Sequence, residues 1–513
     1  MNKIQKFRPP SSPSNLLSLA GLFLFACLGS AVAAADTDQI LLHQLREMRR
    51  DQHRQLQLAP DKADGPAPFG LLVIPVDFAD TRLPAGWDAA TELNARLLEP
   101  GNESLRHYYQ VASRDQVELR ITTAPLIHLP LTRREYSDVG YQGFSRSRQL
   151  ATEALLAVRA LGLEFRSLDM DGPDGMPGSA DDDGEVDGVL ILHAGPGQEN
   201  DAQDGLIQPL QFFLEEPVIS GGIRASFYAV ASLHSGPGIW AHETGHLLGM
   251  EDRYDPLLHP SPQGADVRSL GGLGRFSLMA SGAWGTGEGH GAALPDAYTS
   301  WQMGWVTPIL LPDPAGELVN LTAGQAARIW TRGEMGAEFF LMEIRDPAAS
   351  APFDAMLPAD QLLVYHVDET IPEGNWIVDG PGQWHLRVNL VEADADGGLA
   401  AGENDGELAD LFPGAMAVHS FGPGTVPDSW GYSGNSFVSL EEITSGSGQV
   451  AFRASAAVEP AFLLDLEFSE GPQATLSLTA RSVGAAVLEA HITLEVSGGS
   501  VAGTFAGGSS LVT

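Results

Sequence analysis

One segment, residues 238–254, constrains the fold of this chain more than any other. It contains His242, Glu243 and His246 in the spacing HExxH. Positions four apart on a helix lie one turn above each other, so His242 and His246 can direct two imidazoles at a single ion. Glu243 lies beside them, where its carboxylate can hold a water on that ion instead of binding the ion directly. The spacing therefore predicts a helix that carries part of a zinc site.

The residues after this helix predict the third ligand. A catalytic zinc site needs three protein ligands and one open position. Gly249 can end the helix and turn the chain back, because glycine adopts backbone conformations that other residues resist. Three residues later Asp252 offers a carboxylate, an ordinary zinc ligand. The whole unit, HExxHxxGxxD, predicts one zinc ion bound by His242, His246 and Asp252.

Length and charge bound the class of protein. The 513 residues exceed what one ordinary core holds, which predicts several domains, and the 43% hydrophobic content is that of a globular protein. The 29 basic and 66 acidic residues give a net charge of −37. Such a surface repels phosphates, which argues against a nucleic acid partner, and it suits cation binding.

The N-terminus predicts export. A basic start, an apolar core and small-residue cleavage sites follow one another, at Lys3, Lys6 and Arg8, at residues 16–28, and at residues 31–35. This order is typical of a signal peptide, here residues 1–35, with cleavage after Ala33 or Ala35. The apolar run is short for a membrane span and no later run approaches one, so we expect no transmembrane segment. We expect a secreted, extracellular protein, with the periplasm as an alternative.

The single cysteine, Cys27, lies inside this targeting segment. One alternative is a lipoprotein cleavage box at residues 24–27, which would make Cys27 a lipid-bearing N-terminus. With ordinary cleavage the mature chain has no cysteine, so an exported protein of this kind needs stabilising elements other than disulfides, and bound calcium is the obvious candidate. The missing cysteine also excludes a propeptide thiol that caps the zinc.

Residues 36–68 form a separate N-terminal segment. Residues 36–59 predict a polar helix with one apolar side, formed by Leu41, Leu42, Leu45 and Met48. Prolines at positions 60, 66 and 68 then break the helical pattern. The segment is either a propeptide or an N-terminal helix that packs on the next domain.

Residues 69–309 are expected to form the catalytic domain. Buried strands are predicted at residues 70–78, 186–193 and 223–232, and a further strand is predicted at residues 116–122. Helices are predicted at residues 104–111, 147–162 and 295–305, the second with Leu150, Ala154, Leu155, Val158 and Leu161 on one face. Strands that alternate with helices imply an α/β layer around the metal site.

The segment from Asp169 to Asp187 is strongly acidic. Seven aspartates and one glutamate share it with four glycines and two prolines. Hard oxygen ligands on a tightly turning backbone are what calcium requires, and the candidate ligands are Asp169, Asp171, Asp174, Asp181, Asp183 and Asp187. The segment is not an EF-hand, because its fifth position is Pro173 and Asp174 replaces the required glycine. The alternative is a solvated acidic loop.

The remaining sequence predicts a methionine turn and β-rich modules. Met279 lies in a small-residue turn, residues 276–284, and could form an apolar floor beneath the metal. Residues 310–456 form a β-rich domain, in which His366 and Asp368 share one strand face and are interpreted as structural. Residues 457–513 are expected to form a C-terminal β module, complete or incomplete, or a linker. A half-buried strand of a small sandwich is predicted there from the alternation of Leu488, Ala490, Ile492, Leu494 and Val496.

Several stretches taken together resemble the immune inhibitor A family of secreted bacterial zinc metallopeptidases. In chain order they are residues 72–80, 104–109, 169–195, 242–254, 278–281, 303–305, 340–345 and 364–368. The resemblance covers roughly residues 70–455. Only the zinc signature and the acidic loop are specific, and the other stretches add weight through their order.

The resemblance implies a multidomain protein with an α/β zincin-type, metzincin-like domain, followed by β-rich and β-sandwich modules. It implies that His242, His246 and Asp252 bind zinc and that Glu243 is the catalytic base. It also implies that the acidic loop binds calcium and that an N-terminal segment hinders the active site until it is removed.

The predicted function is a zinc metalloendopeptidase that hydrolyses protein and peptide substrates with metal-activated water. Tyr254 is close in sequence to the ligands and is a candidate to support the oxyanion. One alternative is an exported adhesin or binding protein with a structural zinc site, although the intact Glu243 argues against it. Another alternative is a zinc hydrolase that is not a peptidase. The sequence gives no cleavage preference and no oligomeric state.

Overall fold

The computed structural model describes most of the chain from residue 31 onward. The described ranges are 31–58, 65–138, 144–200, 205–260, 267–270, 272–287, 289–311, 316–333, 335–375, 385–432, 434–456, 462–469, 474–482, 489–497, 500–505 and 510–512. The predicted signal peptide lies almost wholly outside them. Its small residues 31–35 fall within the first helix.

In the described residues the α-helices are α1 (Ala31–Leu58), α2 (Ala89–Glu92), α3 (Asn94–Leu97), α4 (Leu105–Ala112), α5 (Ser145–Ala160), α6 (Pro237–Leu247) and α7 (Ala297–Gln302). Strands of the first half are β1 (Ala67–Asp77), β2 (Val117–Thr123), β3 (Ile127–His128), β4 (Gly188–His193), β5 (Leu210–Ser220), β6 (Ile223–Ser232), β7 (Asp255–Pro260) and β8 (Val267–Leu270). Among these helices, none combines the length and the apolar character that a membrane crossing requires.

A mixed sheet forms the centre of residues 65–308. Its strand order is β2-β1-β4-β6-β5, with β3 also pairing with β1. The pairs β1–β2, β1–β4 and β4–β6 are parallel, whereas the edge strand β5 runs antiparallel to β6. The predicted strands and the α/β layer are confirmed.

Alternate side chains of β1 enter two different cores, because successive residues of a strand point to opposite faces. Leu71 and Val73 pack with residues of α4 and α6 on one face. Leu72 and Ile74 pack with residues of α5 on the other. Helices therefore cover both faces of the sheet, which explains the nearly continuous apolar sequence of β1.

Two apolar positions predicted to be buried are exposed. Met48 is 47% exposed because α1 directs Arg46 and Arg50, not Met48, toward the protein together with Leu42 and Leu45. Leu161 is 62% exposed because α5 ends at Ala160 and Leu161 is its C-terminal cap. The predicted helix over 295–305 is also shorter, since Asp296 caps it and it ends at Gln302.

The second half is built from β-sheets. Its strands are β9 (Ile309–Leu310), β10 (Glu317–Thr322), β11 (Ala326–Trp330), β12 (Glu338–Ile344), β13 (Leu362–Asp368), β14 (Val388–Leu390), β15 (Trp430–Gly431), β16 (Gly434–Asn435), β17 (Val438–Gly446) and β18 (Gln449–Ala456). They form sheets in the orders β14-β13-β12-β11-β9, β10-β18-β17 and β15-β16. This confirms the predicted β-rich region.

Five further strands form one antiparallel sheet, in chain order, at the C-terminal end: β19 (Phe462–Ser469), β20 (Ala474–Ser482), β21 (Glu489–Ser497), β22 (Ser500–Phe505) and β23 (Ser510–Val512). The predicted strand around residues 488–496 corresponds to β21, but its side chains and Leu488 lie outside the described part of the chain. The small sandwich stays a prediction.

One apolar cluster joins the α/β half to the β-rich half. It contains Leu273, Phe276 and Tyr298 from the first half together with Phe339 and Tyr365 from the second. These side chains are almost completely buried. The predicted catalytic domain, which ends at residue 309, and the predicted β-rich domain, which begins at residue 310, therefore share a hydrophobic core.

Candidate metal centre

Helix α6 carries the HExxH residues, and Gly249 ends their turn. The helix begins at Pro237, where a missing N–H costs nothing, since the first turn of a helix leaves its N–H groups unpaired. Gly249 has φ of +99°, and the Met250 N–H donates to the Gly245 carbonyl at 2.9 Å. This closure is typical of a glycine-ended helix, and it brings the following residues back toward α6.

Three donor atoms converge beside α6. The Nε2 atoms of His242 and His246 lie 3.2 Å apart. Asp252 Oδ1 lies 3.3 Å from the first and 3.4 Å from the second. Ligands about 2.0–2.1 Å from a tetrahedral zinc are separated by roughly 3.3–3.4 Å, so this triangle has the size that zinc requires. The structure thus brings together the three ligands that the sequence predicts.

Backbone carbonyls orient both imidazoles. His242 Nδ1 lies 2.9 Å from the Leu278 carbonyl oxygen, and His246 Nδ1 lies 2.9 Å from that of Met250. A carbonyl only accepts hydrogen bonds, so each Nδ1 carries the hydrogen and each Nε2 presents a lone pair. This is the tautomer that a metal ligand needs.

Two carboxylate oxygens at the centre lack protein partners. Asp252 Oδ1 is buried and accepts no hydrogen bond from the described residues. Glu243 is buried next to them, and its Oε2 accepts no hydrogen bond in the described part of the chain. Buried polar atoms are normally paired, so these orphaned oxygens fit a site that takes a cation and a water.

The four buried groups of the centre have shifted pKa values. Burial tends to lower the pKa of His242, but Asp252 and Glu243 raise it to about 9. Burial, with the charge of Arg46, lowers the pKa of His246 to about 4. Burial raises the pKa of Glu243 to about 8. Burial also acts to raise the pKa of Asp252, but the two imidazoles hold it well below its ordinary range.

Met279 packs against α6 at Gly245. Its side chain is completely buried, and its Sδ would lie 3.0 Å from a Cβ placed on Gly245. Its carbonyl accepts a hydrogen bond of 2.7 Å from the N–H of Arg253, the residue after Asp252. Met279 therefore packs against α6 and contacts the residue after Asp252, and its support of the metal site stays a prediction.

A cleft gives access to the centre. One cavity of about 990 Å³ is lined by His242, Glu243, His246, Asp252 and Tyr254. A second, of about 350 Å³, meets it at Glu243 and Tyr254 and continues toward Trp284. Tyr254 therefore faces the same space as Glu243. The arrangement, a metal-sized triangle with an unpaired carboxylate at the base of a cleft, is suited to hydrolysis.

Comparison with known proteins agrees with this geometry. Residues 214–308 match the model of the family described as immune inhibitor A peptidase M6, catalytic domain. The chain is 26% identical over 217 residues to immune inhibitor A of Bacillus thuringiensis subsp. alesti, a match that covers 36% of this chain and 30% of the relative. The resemblance to the immune inhibitor A family is confirmed. The match supports a metallopeptidase.

Helix α1 lies against the metal-binding turn of this immune inhibitor A-like domain. Arg46 donates to Glu251 at 3.0 Å and lies 3.9 Å from Asp252 Oδ2, and His43 contacts Glu251 at 2.9 Å. A Cβ on Gly249 would lie 2.5 Å from the Arg46 carbonyl oxygen. These contacts were not predicted from the sequence. Arg46 and Arg50 lie one helical turn apart beside the buried leucines, and this spacing could have indicated that their side of α1 contacts the protein.

The acidic loop of the immune inhibitor A-like domain gathers only part of the predicted ligand set. Oxygens of Asp169, Asp171 and Asp187 lie within 4.8 Å of one another. Asp183 lies next to them, since its N–H donates to Asp171 at 3.2 Å.

The three clustered carboxylates have raised pKa values. Burial, followed by neighbouring aspartates, raises the pKa of Asp169 to about 7 and that of Asp171 to about 8. The pKa of Asp187 is also raised, well above its ordinary range, by burial and then by Asp171.

Three predicted calcium ligands, Asp174, Asp181 and Asp183, lie outside this cluster. Asp174 and Asp181 are exposed and accept hydrogen bonds from within the loop, including contacts of Ser179. Their side chains close the turns of the loop. The three-carboxylate cluster defines the candidate cation site here.

His366 and Asp368 have structural contacts. The His366 ring stacks between Phe340 and Tyr432 and lies 2.9 Å from Glu338. Asp368 binds His385 at 3.0 Å. Neither belongs to a metal-sized group of side chains in the described residues, in agreement with the structural interpretation.

Proposed function

We propose that this protein is an exported zinc-dependent endopeptidase. The observation that carries the proposal is the triangle of His242 Nε2, His246 Nε2 and Asp252 Oδ1, with the unpartnered Glu243 carboxylate beside it in a cleft. Zinc, when bound, acidifies water and polarises the scissile carbonyl.

Each nearby residue has a role in the proposal. His242, His246 and Asp252 hold the ion. Glu243 takes the proton of the attacking water and passes it to the leaving amine, a function worth roughly 10² to 10⁴ in rate. Tyr254 faces the cleft and is proposed to donate a hydrogen bond to the developing oxyanion.

The edge strand β5 supports a peptide substrate. It ends the strand order of the central sheet, and residues 208–212 line the larger cavity. An edge strand offers unpaired backbone groups that an extended peptide can bind. A substrate paired there would lie beside Glu243 with its backbone aligned.

Residues 36–68 are proposed to restrain this activity until they are removed. His43, Arg46 and Glu47 of α1 line the cavity that contains Glu243. Their removal would widen the cleft. The acidic loop is proposed to bind structural calcium through Asp169, Asp171 and Asp187, where Asp169 Oδ1 is buried without a hydrogen-bond partner in the described residues.

The test compares the wild-type protein with Glu243→Gln, before and after limited proteolysis between residues 59 and 66. We expect trimmed wild type to hydrolyse casein and the variant to lose roughly 10²-fold or more of that rate, since only the base is removed. Both proteins should hold about one zinc, measured by elemental analysis.

Three outcomes would each contradict a part of the proposal. If both proteins hold zinc and neither cuts casein after trimming, the zinc is structural and a binding protein is the better reading. If Glu243→Gln retains the full rate, Glu243 is not the base. If trimming leaves the wild-type rate unchanged, α1 does not restrain the site.

A further inference from the structure

A second cluster of carboxylates lies in the β-rich half, in the loop after β14. Oxygens of Glu392, Asp394, Asp396 and Asp410 all lie within 4.8 Å of one another. The first three alternate along the chain, and Asp410 returns to them at the end of a short 3₁₀ turn that spans Leu408–Asp410. The sequence analysis assigned no role to these residues.

One oxygen of this cluster is buried without a partner. Asp410 is only 1% exposed. Its Oδ2 accepts a hydrogen bond of 2.6 Å from the Glu407 N–H, whereas its Oδ1 has no hydrogen-bond partner in the described part of the chain. Burying a carboxylate oxygen away from water without a hydrogen-bond donor costs free energy unless a cation compensates the charge.

Within the described ranges, no side chain supplies that cation. None of the ion pairs among the described residues involves any of the four carboxylates, although Glu392 and Asp410 are both buried. Burial, together with the neighbouring carboxylates, raises the pKa of Glu392 to about 7 and that of Asp410 to about 6. Left alone, four negative groups at this distance would repel one another.

We propose that Glu392, Asp394, Asp396 and Asp410 bind one calcium ion. All four donors are hard oxygens, the ligand type that calcium prefers. Calcium–oxygen distances of about 2.3–2.6 Å allow two ligands on opposite sides of the ion to lie roughly 4.8 Å apart, and the four carboxylate oxygens all lie within that distance of one another. Backbone carbonyls and water can complete its six to eight ligands.

The ion would hold one wall of the catalytic cleft. Glu392 accepts hydrogen bonds from the N–H groups of Leu399 at 3.1 Å and Ala400 at 2.9 Å. Leu399 and Asp405, from the same loop, line the cavity that also contains His242 and Glu243. A cation in the cluster therefore fixes a loop that shapes the space for substrate.

The Asp405 carbonyl attaches this loop to the α/β half, because it accepts a hydrogen bond of 2.8 Å from Arg275 N–H. Gly406 also packs tightly against the α/β half, since a Cβ there would lie 2.5 Å from the Phe276 ring. The proposed ligands precede this loop at Glu392, Asp394 and Asp396 and follow it at Asp410. The ion would therefore attach the loop at a further point.

The test counts calcium bound to the full-length protein after equilibrium dialysis against calcium ions, with zinc retained. In Asp410→Asn the remaining oxygen can still accept from Glu407, while an amide nitrogen, which cannot bind calcium, replaces the unpartnered oxygen. We expect this variant to bind about one calcium fewer per chain than the wild type. Glu403→Gln, a matched charge change at an exposed position of the same loop, should bind as many as the wild type.

A second variant keeps the proposal falsifiable if Asp410→Asn fails to fold. Asp394 is half-buried in the cluster, so Asp394→Asn should fold and should also lose about one calcium or bind it at least tenfold more weakly. Equal calcium counts and affinities in the wild type and in the folded variants would overturn the proposal. The count does not depend on peptidase activity, so it stands apart from the test of Glu243.

Discussion

At the scale of single residues, the path of the backbone determines which imidazole nitrogens face the metal. The carbonyls of Leu278 and Met250 hold His242 and His246, and no side chain has that task in the described residues. Asp252 is different, because its position depends on the turn at Gly249 and on contacts with neighbouring side chains. The third ligand is thus the one that substitution can disturb most selectively.

We expect Asp252→Ala to abolish stoichiometric zinc binding while the fold is retained. Two imidazoles alone provide fewer ligands than a catalytic zinc site requires. Elemental analysis after dialysis should show zinc well below one ion per chain, and the casein rate should fall with it. Glu47→Gln, an exposed charge change in the same cavity, is the control and should keep its zinc. Full zinc occupancy in Asp252→Ala would show that another residue is the third ligand.

The sequence predicted the cluster of His242, His246 and Asp252 because the information for it is local. The spacing of His242 and His246 and the glycine at 249 determine a helix, a turn and a returning carboxylate within eleven residues. Arg46 and Asp410 could not be predicted in the same way. The partner of Arg46 lies 205 residues away in the chain, and Asp410 meets Glu392, Asp394 and Asp396 across an intervening loop, so no local spacing indicates either contact.

At the scale of elements, α1 and the turn after α6 pack with almost no space between their backbones. A Cβ on Gly249 would lie 2.5 Å from the Arg46 carbonyl oxygen and 2.5 Å from the Arg50 nitrogen. Backbone atoms cannot rotate away as side-chain ends do. Glycine is therefore favoured at position 249 for two reasons: the backbone has a positive φ, and the close approach of α1 leaves no room for a side chain.

We expect Gly249→Ala to destabilise the protein more than Gly222→Ala does. Both glycines have positive φ, which costs a non-glycine residue about 1–3 kcal/mol. A Cβ on Gly222 would meet nothing within 4 Å, so the difference between the variants isolates the clash with α1. Urea unfolding of the untrimmed proteins measures it, and equal losses of stability would show that α1 adjusts without cost.

At the scale of the whole molecule, the acidic surplus is partly concentrated in buried clusters. The net charge is −37, and the described residues contain two metal-sized groups made only of carboxylates. Burial raises the pKa of several members, to about 7 for Asp169 and Glu392 and about 8 for Asp171. Ordinary carboxyl pKa values near 4 apply in the unfolded chain.

We expect stability without calcium to fall between pH 6.5 and 8. In this range the folded clusters keep protons that the unfolded chain has released, so their stabilising contribution is lost as the pH rises through the raised pKa values. Histidines ordinarily titrate at or below the lower end of this pH range, so buried imidazoles do little to offset the loss of stability. Urea midpoints measure the trend, and millimolar calcium should abolish it if calcium replaces the protons. A midpoint that rises with pH in calcium-free buffer would contradict the expectation.

The hydrophobic core shared by the two halves has a consequence for how such a protein can evolve. Leu273, Phe276 and Tyr298 pack against Phe339 and Tyr365 across the boundary at residue 309, and the loop at 399–405 lines the cleft. A gene segment that ended at this boundary would encode the metal ligands but only one side of the substrate space. Recombination must therefore transfer both halves together, and mutations in the β-rich half can change substrate preference while the metal ligands stay the same.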